Sequence, residues 1–426
     1  MFTLISGGVI LIATVILLIK RYDTRTTLIG AGILLCLISL SPMDAFDAFT
    51  KRMTTAGLIE SICSSMGFAY VMKYTGCDLC LVRLLTRGLS HIGFLLIPAA
   101  VAITFVICIA IPSAAGVSAA VGATLIPLLI AARIHPAIAG GTVLSGTLGA
   151  YLNPGVAHNA FISSISHTPL IDFVFYHAPY TVACGVICGV SLTAVAIFMK
   201  DPNYTAEENS VASTIGQDHD GYIRNVRFYL QTIAPFLPVL LLVLSGIGWF
   251  GHVKMNVPAA MIIGSVYALI ITRANPGLLT KSFFDGMGSA YASILGIIIA
   301  AAVFIEGLSA AGVTQAFINL LTSYPEFARW GGTLGPFFMG LITGTGDATA
   351  FAFNEAVTPH AASFGFDVNR LGAGVMLASA LGRNMSPLAG AAIVCAGLVG
   401  VSPFEIVKRT APGAILSVLF LAIFFL

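Results

Sequence analysis

Long unbroken apolar runs, such as Gly7–Ile19 and Ile294–Ile305, constrain this chain more than any motif within it. Only 9% of the residues are charged, and the mean hydropathy is +0.97. A soluble globular protein carries roughly a quarter charged residues, so a water-facing surface cannot be built from this composition. In lipid every backbone N–H and C=O must be satisfied within the protein, which leaves helices and closed barrels. Barrel strands alternate apolar and polar residues over about ten positions. The runs here do not alternate, so the sequence predicts an all-α polytopic membrane protein. A net charge of +2 over 426 residues gives no field to attract a nucleic acid, and none is expected as a partner.

Spanning helices need about twenty apolar residues. Candidates are Phe2–Ile19, Thr27–Leu40, Ala56–Met72, Ile92–Ile111, Ala115–Ala132, Ala178–Met199, Phe228–Phe250, Val257–Ile271, Tyr291–Ile305 and Ile415–Leu426. The first lacks a basic leader and a small-residue cleavage site, and Lys20-Arg21 follows it, so it reads as a retained helix. Lys20, Arg21, Arg25, Arg83 and Arg87 place the N-terminus outside by the positive-inside rule. Ala137–Ser166 and Phe337–Gly400 are apolar but too broken by Gly, Pro, Ser and Asn to be plain spans. Lys200–Arg227 holds Asp201, Glu207, Glu208, Asp218 and Asp220 and reads as a hydrophilic linker. The chain thus divides into 1–199, a linker 200–227, and 228–426. Cys77-x-x-Cys80 has no second pair beside it and reads as two buried apolar residues.

The two halves are related. Leu148-Gly149-Ala150-Tyr151-Leu152-Asn153-Pro154 matches Leu381-Gly382-Arg383-Asn384-Met385-Ser386-Pro387 at an offset of 233. That register also pairs Pro112-Ser113 with Thr345-Gly346, Ala178-Pro179 with Ala411-Pro412, and Lys73 with Glu306. Turn-forming matches in one register over about 70 residues mark an internal repeat. Repeats interrupted at corresponding places are the sequence pointer to a secondary transporter.

The densest polar signal within apolar sequence is Thr343-Gly344-Thr345-Gly346-Asp347, paired in the first half with Pro112-Ser113. Broken helices expose N–H groups to an anion and carbonyls to a cation. Asn153-Pro154-Gly155 and Ser386-Pro387 are predicted chain tips, because proline cannot continue a helix from within. Asn153, Asn159, Asn384 and Ser386 offer neutral hydrogen bonds there. Charge within a bilayer is costly and so marks function. Arg383 presents a planar fork that matches a carboxylate, with an ion pair to Asp347 or Glu355 as its structural alternative. Asp347, Glu355 and His158 are candidates to carry a coupling proton or Na⁺. No other cofactor is called for.

Four stretches, Thr343–Asp347, Phe353-Asn354-Glu355, Leu381–Pro387 and Ser402–Thr410, together resemble the anaerobic C4-dicarboxylate uptake carriers of the DcuC type. Glu306-Gly307-Leu308-Ser309 and Pro169-Leu170-Ile171-Asp172-Phe173 fit the same pattern, and the likeness is specific over about Val303–Pro412. The resemblance implies a member of the ion transporter superfamily. It implies two inverted repeats, each with a re-entrant hairpin and a broken helix, in a homodimer with elevator-type movement. It implies transport of succinate, fumarate or malate across a bacterial inner membrane. Two places depart from the family pattern: Asp347 stands where asparagine is usual, and the Asn153–Asn159 tip replaces a Thr/Ser-rich one. The leading expectation is an ion-coupled symporter or exchanger. Alternatives are a carrier of another organic anion, an anion channel, or an intramembrane enzyme. The enzyme lacks support, since neither His-Glu-x-x-His nor Gly-x-Ser-x-Gly occurs. ATP-driven transport lacks its phosphate-binding loop.

Overall fold

The computed structural model describes residues 2–20, 22–86, 95–199, 226–249, 255–323 and 325–426. Among these the chain forms twenty-one α-helices and no strand. The first half contains α1 (Phe2–Ile19), α2 (Thr24–Ile38), α3 (Pro42–Met53), α4 (Ala56–Thr75), α5 (Cys77–Thr86), α6 (Leu96–Ala110), α7 (Ala114–Ala131), α8 (Pro136–Gly146), α9 (Ala157–Ser166) and α10 (Leu170–Phe198). The second contains α11 (Val226–Ile233), α12 (Leu237–Gly246), α13 (Val257–Thr272), α14 (Pro276–Ala290), α15 (Gly296–Ala310), α16 (Val313–Ser323), α17 (Pro325–Thr343), α18 (Gly346–Ala356), α19 (Val368–Asn384), α20 (Gly390–Val399) and α21 (Pro403–Phe420). Of the hydrophilic linker, residues 200–225 lie outside the described residues, as do Arg21 and Arg87.

Five helical stretches are long and apolar enough to cross a membrane: Ala114–Ala131, Leu170–Phe198, Val226–Gly246, Pro276–Ala310 and Pro403–Phe425. Two expectations need correction here. Pro179 and Pro412 lie inside α10 and α21 rather than at turns. A lipid-embedded helix tolerates proline where neighbouring helices and hydroxyls re-satisfy the freed backbone. Both helices also begin earlier than hydropathy indicated. Ser402 caps α21 through the Phe404 N–H, and Pro403 opens it, so a polar first turn precedes the apolar run.

The helices pack in two groups. In one, α2 and α3 lie against α15, while α13 and α14 lie against α4, so each half of the chain packs on the other. In the second, α6–α10 and α17–α21 surround α8 and α19. Every residue of α8 is buried, as is most of α19. Both are rich in Ala, Gly, Ser and Thr, the residues that let neighbouring backbones approach. Helix boundaries recur at the 233 offset: α9 and α20 correspond at both ends, and α2 and α13 begin in register. Two residues separated by that offset touch, since the Ser417 hydroxyl donates to the Cys184 carbonyl at 3.3 Å.

Two glycines set the closest crossings. A Cβ on Gly149 would stand 2.0 Å from the Phe105 carbonyl oxygen, and one on Gly382 would stand 2.0 Å from that of Phe337. The obstacle is backbone, so no rotamer change relieves it. Gly382→Ala is expected to separate α17 from α19 and to lower stability by about 1–3 kcal/mol. Gly397→Ala, whose Cβ would meet open space in α20, serves as control and should be neutral or slightly stabilising. Thermal unfolding in detergent distinguishes them; equal melting would show that the crossing is not tight.

Candidate functional site

Four interruptions break the helices of the second group. Ile111–Ser113 separates α6 from α7, and Gly344–Thr345 separates α17 from α18. Asn153–Val156 leads from the 3-10 turn Thr147–Leu152 into α9, and Met385–Ala389 leads from α19 into α20. The third is tied to the last turn of α6, because the Asn153 amide donates to the Ile109 carbonyl at 2.7 Å. Gly344 sits at φ +71° against the backbone of Leu388 and Ala389, a left-handed conformation that glycine adopts without strain. Ser113 caps α7 by accepting the Gly116 N–H at 3.1 Å.

Arg383 is the penultimate residue of α19, half-buried. Its guanidinium donates to Asn384 Oδ1 at 3.2 Å and to Thr147 Oγ1 at 3.4 Å. Asn384 is anchored in turn, accepting from the Thr147 hydroxyl and donating to the Leu144 carbonyl, both at 3.2 Å. The arginine is thus moored to the end of α8 by neutral groups. Among the described residues no carboxylate lies within 4.0 Å of it. Both acids weighed as its partners are engaged elsewhere. Asp347 Oδ1 lies 2.9 Å from His158 Nε2, and Glu355 pairs with Arg52 of α3. Glu355 stands eight residues beyond Asp347 on α18, about 12 Å by helical rise. Gly346 permits the close approach of α18 to α19: a Cβ there would come 3.2 Å from the Arg383 Cβ. The Ser379 hydroxyl fastens the same turn by donating to the Gly346 carbonyl at 2.6 Å.

The remaining candidates divide between open and enclosed positions. Thr343 and Thr345 line a cavity of about 350 Å³, together with Thr349, Leu388, Tyr22 and Asp23. A second cavity, of about 20 Å³, is lined by Ala110, Pro112, Asn153 and Met261. The 233 offset carries Ala110 and Pro112 to Thr343 and Thr345, so of two corresponding spaces one is large and the other small. Asn159 is fully buried and wholly engaged, donating to the Tyr151 and Asn153 carbonyls at 2.8 and 2.9 Å. Its carbonyl oxygen meets His177 Nε2 at 3.2 Å, and His177 Nδ1 meets Thr181 at 3.0 Å. Pro154 and Gly155 form the buried turn, with the Gly155 N–H donating to Asn153 Oδ1 at 2.7 Å. Ser386 is buried and accepts from the Leu388 N–H at 3.3 Å, beside the half-buried Pro387. Thr147, His177, Thr181 and Arg52 escaped the sequence reading. Nothing in the sequence around Arg52 marks it, and only its partner across the fold distinguishes it.

An all-helical, multi-pass membrane protein whose broken helices gather around one arginine defines the class: a membrane transporter. Comparison with known families specifies it. The family model described as the C4-dicarboxylate anaerobic carrier, DcuC, matches residues 41–426, and the chain belongs to this family. A Haemophilus influenzae protein, named only as an uncharacterized transporter, is 46% identical over 282 residues, 65% of this chain and all of that one. The anaerobic C4-dicarboxylate transporter DcuC of Escherichia coli K12 is 25% identical over 437 residues, 96% of this chain and 92% of its own length.

Proposed function

We propose that this protein is a secondary active transporter of small dicarboxylates of the succinate, fumarate and malate type in a bacterial inner membrane. One observation carries the reading: a half-buried guanidinium between two chain breaks, Gly344–Thr345 and Met385–Ala389, held by neutral groups with no acid in direct contact. A charge left unneutralised at that depth is costly unless an anion visits it, and a guanidinium fork fits a carboxylate. The C4-dicarboxylate transporter of E. coli to which the chain is similar supports the substrate class.

The helix boundaries that recur at 233 support two repeats, read here as inverted, with re-entrant hairpins at Asn153–Val156 and Met385–Ala389. The unequal cavities support alternating access. On this reading the group around α8 and α19 moves against the other, elevator-fashion, in a homodimer. Transport proceeds by ion-coupled symport or exchange.

The test is reconstitution into liposomes. Preloaded unlabelled succinate should accelerate entry of labelled succinate, and a panel of organic anions should compete in order of likeness to it. Conductive flux without counterflow would overturn the carrier in favour of a channel.

A further inference from the structure

We propose that Asp347 is the specificity-determining residue of this site: it receives an ammonium group, so that an organic acid bearing an amine binds better than the plain dicarboxylate of the same skeleton. The inference rests on the transporter reading above, with Arg383 as the carboxylate contact, and it names the kind of acid that the site fits best.

Two opposite charges stand side by side here without meeting. Gly346 precedes Asp347 in the first turn of α18, and a Cβ on it would come 3.2 Å from the Arg383 Cβ and 3.3 Å from its Cδ. The Ser379 hydroxyl of α19 fixes that turn by donating to the Gly346 carbonyl at 2.6 Å. Asp347 and Arg383 are near enough to feel each other's charge, yet no oxygen of the acid lies within 4.0 Å of a guanidinium nitrogen. Opposite charges so placed, away from bulk water, attract strongly and pair unless something holds them apart. Each is held. His158 Nε2 engages Asp347 Oδ1 at 2.9 Å, and the ring is fixed by stacking on Phe351, with centroids 4.2 Å apart. Asn384 and Thr147 engage the Nε and Nη2 side of Arg383. Both braces leave a valence over. Among the described residues Asp347 Oδ2 accepts no hydrogen bond and Arg383 Nη1 donates none. The Asp347 side chain is 57% exposed, so its free oxygen is open to a ligand. That oxygen can accept only from a donor such as an ammonium, while the guanidinium donates to a carboxylate.

Charge gives the preference. The Arg383 guanidinium and the Asp347 carboxylate sum to zero. A plain dicarboxylate adds two negative charges and brings one of them towards Asp347. An amino-substituted dicarboxylate adds a single net negative charge and sets its ammonium against the acid. Uncompensated charge is costly within a membrane, so the amine-bearing acid is favoured. Likeness to succinate still orders the plain anions, because none of them can make the contact to Asp347. The second acid of α18 does not compete for the amine, since Glu355 is paired with Arg52.

The experiment uses purified protein in liposomes at neutral pH. It compares labelled succinate with labelled L-aspartate, the same skeleton with one ammonium added, in direct uptake and in mutual competition. Wild-type protein should show an apparent affinity for L-aspartate roughly tenfold above that for succinate, the effect of one charge-assisted hydrogen bond. Asp347→Asn keeps the shape and removes the charge. It should weaken L-aspartate roughly tenfold and strengthen succinate, so that the order is lost or reversed. Asp347→Glu keeps the charge and should keep L-aspartate ahead. Thermal stabilisation by each ligand reads the same order in a variant too slow to assay by flux. Succinate equal to or ahead of L-aspartate in the wild type, or an order unchanged in Asp347→Asn, would overturn the assignment and leave the carrier standing. A wild-type protein that takes up neither compound would instead overturn the transporter reading.

Discussion

Arg383→Lys should raise the half-saturating concentration of dicarboxylate uptake roughly 10- to 100-fold while leaving the protein folded. Lysine keeps the charge but offers a point donor in place of a planar fork. A hydrogen bond to a charged group contributes about 1.5–3 kcal/mol, and bidentate pairing makes two of them. The substitution also releases the mooring to Asn384 and Thr147, so the ammonium would swing freely on its stem. Arg383→Gln, which removes the charge, should abolish uptake at any attainable concentration. The two variants separate geometry from charge. Equal loss in both would mean that the fork itself is indispensable; kinetics unchanged by Arg383→Lys would remove Arg383 from the substrate site. Melting temperatures of the purified variants, compared without substrate, show whether either change acts through folding.

Much of this architecture was legible because lipid imposes simple rules. Apolar runs had to be helices, and the clusters Asn153-Pro154-Gly155 and Thr343-Gly344-Thr345-Gly346 read as breaks because several poor helix formers fall together there; a lone proline does not decide it, as Pro179 and Pro412 inside helices show. The 233 register was visible over about 70 residues of sequence, around breaks where few residue types fit. Elsewhere it was hidden, because any apolar residue can face lipid. Only helix positions, such as α2 against α13, extend it. The partners were not legible at all. Asp347 and Glu355 lie on one helix and suggest a common role, yet one meets His158 of α9 and the other Arg52 of α3. Those pairings join residues 189 and 303 positions apart, and neither propensity nor periodicity encodes such distances. Asn159 is a site candidate by type and place, and its engagement with Tyr151, Asn153 and His177 is set by groups that its sequence neighbours do not reveal.

The Arg52–Glu355 pair joins the two groups of helices, α3 on one side and α18 on the other, and is mostly shielded from solvent. Arg52 also stands over the Phe161 ring at 5.6 Å, so one guanidinium touches both α18 and α9. Arg52→Ala should destabilise the protein by about 3–5 kcal/mol, the usual cost of leaving one member of a buried pair alone. Glu355 has one further carboxylate oxygen buried without a hydrogen bond, so the stranded acid would have no alternative partner at hand. Glu355→Gln in the Arg52→Ala background removes the stranded charge and should recover most of the loss. That recovery separates electrostatic stranding from lost packing against Phe161, which Arg52→Met would largely restore by itself. If the two groups move during transport, the pair must break in each cycle. The double variant should then tolerate the change in flux assays and exchange substrate faster than wild type at low temperature. Slower exchange with restored stability would show that the pair does not oppose the movement.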